Sequence, residues 1–140
     1  IICASEDVGM ANPSALNTAV SAYNAIMSIG MPEARIILAH AAIAVATSPK
    51  SNACYLAIES ALKDVQEKRT GEIPMHLRNA PVKEMKDIGY SKGYKYVHDF
   101  PGNYIDENYL PEELKGTKYY NPYSNGYEEK IKQWLDKNRK

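Results

Sequence analysis

Apolar residues recur at helical spacing in the first half of the chain, and capping residues, prolines and glycines separate the periodic stretches. The first stripe consists of Leu16, Val20, Tyr23 and Met27. A capping Asn12 and a first-turn Pro13 precede it and Gly30 follows it, which predicts a helix from about Pro13 to Ile29. Pro32 then predicts a tight corner and the start of a second helix.

The second predicted helix runs to about Thr47 and is apolar on nearly every side. Its sequence IILAHAAIAVA, from Ile36 to Ala46, is rich in alanine and contains no charged residue. Helices that are apolar all round are normally buried. Because the run is about half as long as a membrane span requires, we expect it to be the buried central helix of the fold.

A third helix is predicted from a capping Ser48 and a first-turn Pro49. Its apolar stripe consists of Tyr55, Ile58, Leu62 and Val65. Asp64 and Lys68 lie four residues apart in the favourable order, and we expect this pair on the exposed side.

The second half of the chain is less regular. Apolar spacing from Val82 to Ile88, ended by Gly89, predicts a short helix. Residues 90–126 show no sustained period apart from one helical turn expected at LPEELKG, and their aromatic content argues against disorder. Asn125 and Glu128 predict a capping-box start for an amphipathic C-terminal helix. The sequence therefore predicts one all-α domain over residues 1–140, a compact helical bundle with a long tyrosine-rich irregular segment and a C-terminal helix.

Composition limits several classes of function. Seventeen basic residues balance seventeen acidic ones, so no overall positive field attracts nucleic acid or anionic lipid, and any such binding must be local. Cys3 and Cys54 show neither CxxC nor Cys/His spacing, which favours free buried thiols in a reducing compartment. His40, His76 and His98 lack paired metal-ligand spacing, and His40 is expected to be a core histidine.

The sequence contains no recognisable catalytic motif: a P-loop, a dinucleotide glycine fingerprint, GxSxG and HExxH are all absent. Glu6 and Asp7 are adjacent, but neighbours on a helix do not face each other, so a helix-end role is favoured over acid–base chemistry. No catalytic, cofactor-binding or metal-binding residue is therefore assigned. The sequence begins at Ile1 without signal-peptide features, and we interpret it as part of a longer protein.

The stretch GYSKGYKYVHDFPGNY combines aromatic rings with cations and allows two interpretations. Basic residues outnumber acidic ones five to two between Arg78 and His98, so the rings could stack bases while the cations contact phosphates. The candidate DNA contacts are Arg78, Lys83, Lys86, Lys92 and Lys95. Tyrosine also packs at subunit interfaces. The candidates for packing or an interface are Tyr90, Tyr94, Tyr96, Phe100 and Tyr104.

Several longer stretches occur in an order that resembles a known family. They are ASEDVGMANPSAL, GMPEARIILAHAAIAVATSPKSN, ACYLAIESAL, HLRNAP, GYSKGYKYVHDFPG and YLPEELKGTKYYNP. Together they resemble the C-terminal region of the replication-associated recombination protein A family, the bacterial RarA/MgsA AAA+ ATPases, which are similar to the eukaryotic Werner-helicase-interacting ATPase. The resemblance runs from Ala4 to about Pro122.

This resemblance implies a helical oligomerisation domain that is related to clamp-loader collar domains and holds the protein as a homotetramer. It implies a DNA-stimulated ATPase that uses ATP and Mg in an upstream AAA+ module. Such a protein would be cytoplasmic and nucleoid-associated, and would act at replication forks near single-strand-binding protein and recombinase. The ATP-handling residues of the family have no counterpart in residues 1–140, so no catalytic position is carried over.

Two hypotheses for this chain follow. In the first it is an assembly domain that brings ATPase modules together, and in the second it is a nucleic-acid binding module of the same ATPase. We expect Tyr94, Tyr96 and Phe100 to be largely buried against helices or a neighbouring subunit, and Lys92 and Lys95 to face water.

Overall fold

The chain consists of helices and irregular segments over residues 1–139, which the computed structural model describes. The α-helices are α1 (Ser14–Ile29), α2 (Ala34–Ala46), α3 (Ala53–Glu67), α4 (Lys83–Asp87) and α5 (Glu128–Asn138). A π-helical turn covers Ala4–Val8, and 3₁₀ turns cover Gly9–Ala11, Met75–Leu77, Val97–Asp99, Pro101–Asn103 and Glu112–Leu114. No strand occurs among these residues, which confirms the all-α prediction. None of the described helices is long and apolar enough to cross a bilayer.

The ends of α1 agree closely with the sequence signals. The side-chain oxygen of Asn12 accepts a hydrogen bond from the N–H of Ser14 at 3.2 Å. At the other end Gly30 has a φ of 75°, and its N–H donates to the carbonyl of Ile26 at 2.9 Å. Because a side chain disfavours positive φ, glycine suits this position. The predicted corner is confirmed, and α2 follows from Ala34.

α3 begins later than the Ser48 signal predicts. The Ser48 hydroxyl donates to the Ala44 carbonyl at 2.6 Å, in the last turn of α2. The Lys50 ammonium also donates to carbonyls at this helix end, which satisfies groups that the helix leaves unpaired. Ser51 takes the capping role, because its hydroxyl oxygen accepts from the N–H of Ala53 at 3.2 Å.

Internal contacts divide the chain into two units. The first comprises Ile1–Ala61 with Tyr119–Asp136, and the second comprises Leu62–Lys118 with residues 137–139. In the first unit α1 packs against α2 and against the N-terminal π-helical turn. The buried cluster consists of Ala4, Val8, Ala15 and Ala19, with Val45 of α2 packed against it. The interior of this unit is therefore built from small side chains.

The prediction that α2 is a buried central helix is wrong for this chain. Ala34 is the one buried residue that α2 contributes, whereas Ile36 and Ile43 are 63% and 62% exposed. α2 packs mainly against α1, so that one side of the helix is covered. His40, expected in the core, is also exposed.

Glu128, the first residue of α5, is completely buried. Its carboxylate accepts hydrogen bonds from the Tyr120 hydroxyl at 2.7 Å and from the N–H of Tyr123 at 3.0 Å. Burial, followed by the bond to Glu128, raises the pKa of Tyr120, so the phenol remains a donor. The capping-box prediction is wrong, because the side chain of Asn125 donates to the Lys50 carbonyl at 3.1 Å instead.

The second unit contains the short helix α4 at the predicted place, and the following Gly89 has a φ of 97°. The ion pair between Asp64 and Lys68 is confirmed at 2.7 Å. Its expected exposure is wrong for Asp64, which is buried. Leu114 in the Glu112–Leu114 turn is the buried apolar residue of this unit, and that turn lies in LPEELKG as predicted.

We predict that Ala19→Leu lowers the free energy of unfolding by about 1–3 kcal/mol, because the alanine cluster leaves no room for a longer side chain. The control is Val20→Leu at the exposed neighbouring position, which should change this free energy by less than about 0.5 kcal/mol. Urea unfolding followed by circular dichroism measures both. Equal midpoints for the two variants would contradict a tightly packed cluster.

We predict that Glu128→Ala lowers the free energy of unfolding by about 2–6 kcal/mol, since two donors lose their acceptor in a buried place at about 1–3 kcal/mol each. Glu129→Ala is the matched control, because the Glu129 carboxylate accepts a bond from the exposed side chain of Gln133 at 2.9 Å. Thermal unfolding compares the two. A loss no larger than that of the control would show that the Glu128 carboxylate does not stabilise this unit.

Candidate functional site

An uncharged apolar surface covers the outer side of α2. Ile36, Ala39, Ile43 and Ala46 follow one another at intervals of three and four residues, so they share one side of the helix. All four are exposed. The chain carries no charged residue from Ile36 to Thr47. We name these four residues the α2 face.

A second apolar surface lies on α1. We name it the α1 ridge, and it consists of Leu16, Val20, Tyr23 and Met27, all exposed. Thr18, Ser21 and Ala25 of α1 line a groove of about 430 Å³ between α1 and α2. Since an α-helix turns once in about 3.6 residues, the ridge lies on the side of α1 away from this groove. The α1 ridge and the α2 face are therefore separate surfaces of the first unit.

The sequence reveals these apolar stripes but not their exposure. The stripe predicted on α3, which consists of Tyr55, Ile58, Leu62 and Val65, is exposed as well. On α1 the covered side carries Ala15, Ala19 and Ala22 instead of the larger residues. A second stripe made of alanine alone is the signal that could have identified the inner side, because it permits the closest approach of neighbouring elements.

The tyrosine-rich segment of the second unit leaves most of its rings in water. Tyr94 and Tyr96 are 60% and 54% exposed, and Phe100 is exposed as well. The expected burial of these three rings against helices of the same chain is wrong, while burial against a neighbouring subunit stays a prediction. Tyr96 contacts His98, with ring centroids 5.0 Å apart. Tyr104 is partly buried.

Arg78 is engaged within the second unit. Its guanidinium donates to the Glu72 carboxylate at 2.6 Å and to the Ile73 carbonyl at 2.7 Å. It also lies over the ring of Tyr90, 5.3 Å from the centroid, and the Ser91 hydroxyl donates to its carbonyl at 2.7 Å. The bonds with Glu72, and then with Tyr90, raise the pKa of Arg78. These contacts hold Arg78 in place and reduce its availability to a phosphate.

The four candidate lysines are all exposed. Lys83 and Lys86 lie on α4, where Glu84 and Asp87 are exposed beside them and offset their charge. Lys92 faces water. Lys95 faces water too and forms an ion pair with Glu107 at 3.3 Å. The positive character of the patch is therefore weaker than the count of basic residues suggested.

The remaining titratable candidates form no catalytic arrangement among the described residues. Cys3 is exposed and Cys54 is partly buried, so the expected burial of Cys3 is wrong, although both thiols are free. A hydrogen bond with Asp7 raises the pKa of the Cys3 thiol, which keeps it protonated. Glu6 and Asp7 lie exposed in the N-terminal π-helical turn, a helix-end position. Residues 1–139 contain no cluster of side chains suited to a metal ion.

Comparison with known proteins identifies close relatives. An uncharacterized AAA domain-containing protein of Mycobacterium tuberculosis is 45% identical over 139 residues, which cover 99% of this chain and 31% of that protein. Replication-associated recombination protein A of Escherichia coli is 43% identical over 129 residues, covering 91% of this chain and 29% of that protein. ATPase WRNIP1 of Dictyostelium discoideum is 39% identical over 118 residues, covering 84% and 14% respectively.

The chain thus spans about a third or less of the length of these relatives. A family model described as the C-terminal part of the MgsA AAA+ ATPase matches residues 1–139. This match covers nearly the whole chain and agrees with the motifs quoted from its sequence. The chain therefore belongs to the family of MgsA AAA+ ATPase C-terminal domains.

Proposed function

We propose that this domain assembles copies of its protein into a homotetramer. The observation that supports the proposal is the α2 face, an uncharged apolar surface that the chain itself leaves in water. Taking an exposed isoleucine side chain out of water contributes about 1.5–3 kcal/mol. Burying Ile36 and Ile43 of two copies therefore provides a substantial driving force for association.

A second copy of the chain is the partner that suits this surface. In a two-fold symmetric contact the same patch meets itself, and like charges on the patch would then repel each other. The α2 face has none of these charges. The α1 ridge offers a separate surface on the same unit, and two different contacts per copy are what a tetramer built from two-fold contacts requires.

The assembled protein, in this proposal, is a DNA-dependent AAA+ ATPase of replication-associated recombination. The family of the chain and the names of its relatives support this role. An AAA+ module outside this chain would bind ATP and Mg, and assembly would let one subunit complete its neighbour's active site. DNA, single-strand-binding protein and recombinase are proposed as partners of the whole protein, which would act in the cytoplasm at the nucleoid.

We predict that the purified chain is larger than a monomer at tens of micromolar and that Ile43→Glu shifts it towards smaller species. A carboxylate at this position would be buried in the contact, so the dissociation constant should rise at least about tenfold. Size-exclusion chromatography with light scattering measures the mass, and circular dichroism verifies that the helices remain.

Asn24→Glu is the control, because it adds the same charge at an exposed polar position of α1. It should leave the mass unchanged. A monomeric wild-type chain at these concentrations would rule out self-association as the role of this domain.

A second candidate function is binding of single-stranded nucleic acid by the second unit. The exposed rings of Tyr94 and Tyr96 next to the exposed Lys92 favour it, since aromatic faces stack bases and cations contact phosphates. The local acids and the ion pair of Lys95 limit its strength. The two functions are compatible, because assembly multiplies weak contacts.

We predict that the chain binds a labelled oligothymidylate at low salt and that joint replacement of Tyr94, Lys92 and Lys95 by alanine weakens binding at least about tenfold. Fluorescence anisotropy measures the affinity. The matched control replaces Tyr127, Lys130 and Lys132 by alanine. Tyr127 is an exposed tyrosine just before α5, and the two lysines lie on α5, where Lys132 is exposed and Lys130 is exposed as well. Equal losses in both variants, or no binding at low salt, would exclude this site.

A further inference from the structure

The α2 face alternates large and small side chains, and each large residue is matched by a small one at the same distance from Ala41. Ile36 and Ala46 lie five residues before and after Ala41, and Ala39 and Ile43 lie two residues before and after it. A large residue on one side of Ala41 therefore always corresponds to a small one at the same distance on the other side. All four side chains are exposed, so a neighbouring helix can reach them.

We propose that α2 pairs with α2 of a second copy in antiparallel orientation, with the two-fold axis at the level of Ala41 along the helix. This inference rests on the proposed self-association and specifies its contact. In this register Ile36 of one copy lies opposite Ala46 of the other, and Ala39 lies opposite Ile43. Each contact then combines a large with a small side chain, which fills space evenly along the helix pair.

A parallel arrangement of the same helix fills space less well. A parallel pair in register places Ile36 on Ile36 and Ala39 on Ala39, so that crowded contacts alternate with voids. The antiparallel pair also places Arg35, at the start of one helix, near the C-terminal end of the other, where a cation is favourable. No other charged residue lies within the paired stretch.

Disulfide formation between two single-cysteine chains tests this register. In a background with Cys3→Ser and Cys54→Ala, one chain carries Ala39→Cys and the other carries Ile43→Cys. Under mild oxidation the mixture should give several-fold more covalent dimer than either chain alone. In the antiparallel register the cysteine at position 39 of one chain lies opposite the cysteine at position 43 of the other, within the reach of a disulfide. Two cysteines at position 39, or two at position 43, are instead about four residues apart along the helix axis, or roughly 6 Å.

The control mixture combines Leu38→Cys with Ile43→Cys, because Leu38 is exposed on another side of α2. It should give no more dimer than the single chains. If light scattering shows an assembly but the Ala39 and Ile43 mixture behaves like this control, the register is wrong and the proposed self-association stands. Efficient dimer formation by Ala39→Cys alone would indicate the parallel pair. A monomeric background chain would overturn both proposals.

A size exchange provides a second measurement. Ala39→Ile places two isoleucines opposite each other in the antiparallel pair, so the dissociation constant should rise at least about tenfold. Adding Ile43→Ala to the same chain restores a large residue opposite a small one and should recover most of the affinity. In a parallel pair Ala39→Ile would fill a void and strengthen assembly, which is the opposite sign. Both positions are exposed in the single chain, so its fold does not depend on them.

Discussion

The first unit depends on close contact between alanines. Ala4, Ala15 and Ala19 bring the N-terminal turn and α1 together, and Val45 packs α2 against the same cluster. Such a core removes little apolar area from water per residue, so its stability depends on dense packing. The buried residues of α1 and α2 are alanines, and the larger apolar side chains of both helices lie outside this core.

The exposed apolar surfaces follow from this constraint. The α1 ridge and the α2 face belong to helices whose inner sides are already occupied by small residues. Large exposed apolar patches on a folded chain commonly mark interaction sites. The interior of one copy and the proposed contact between copies are thus two consequences of the same placement of alanine.

The second unit depends on polar contacts instead. The Arg78 side chain contacts Glu72, Ile73 and Tyr90, and its backbone carbonyl accepts from Ser91, so one residue organises the segment around it. This arrangement separates the tyrosines into Tyr90, which packs under a cation, and Tyr94 and Tyr96, which remain exposed. Tyrosine content alone predicts neither outcome, since the same side chain suits packing and an exposed contact.

The sequence by itself determined the all-α class and the positions of the helices, because caps, prolines, glycines and helical spacing act over a few residues. The order of its longer motifs determined the family. Its capping errors concern which of several possible partners a side chain bonds to. Asn12 caps α1 as predicted, but Ser48 bonds back to α2, and Glu128 accepts from Tyr120 and Tyr123 instead of capping its own helix. Only the tertiary structure decided which stripe of each helix is covered, because leucine and alanine stripes are both apolar. The selection depends on contacts with elements elsewhere in the chain, as Ala15 and Ala19 of α1 pack with Ala4 and Val8 of the N-terminal turn.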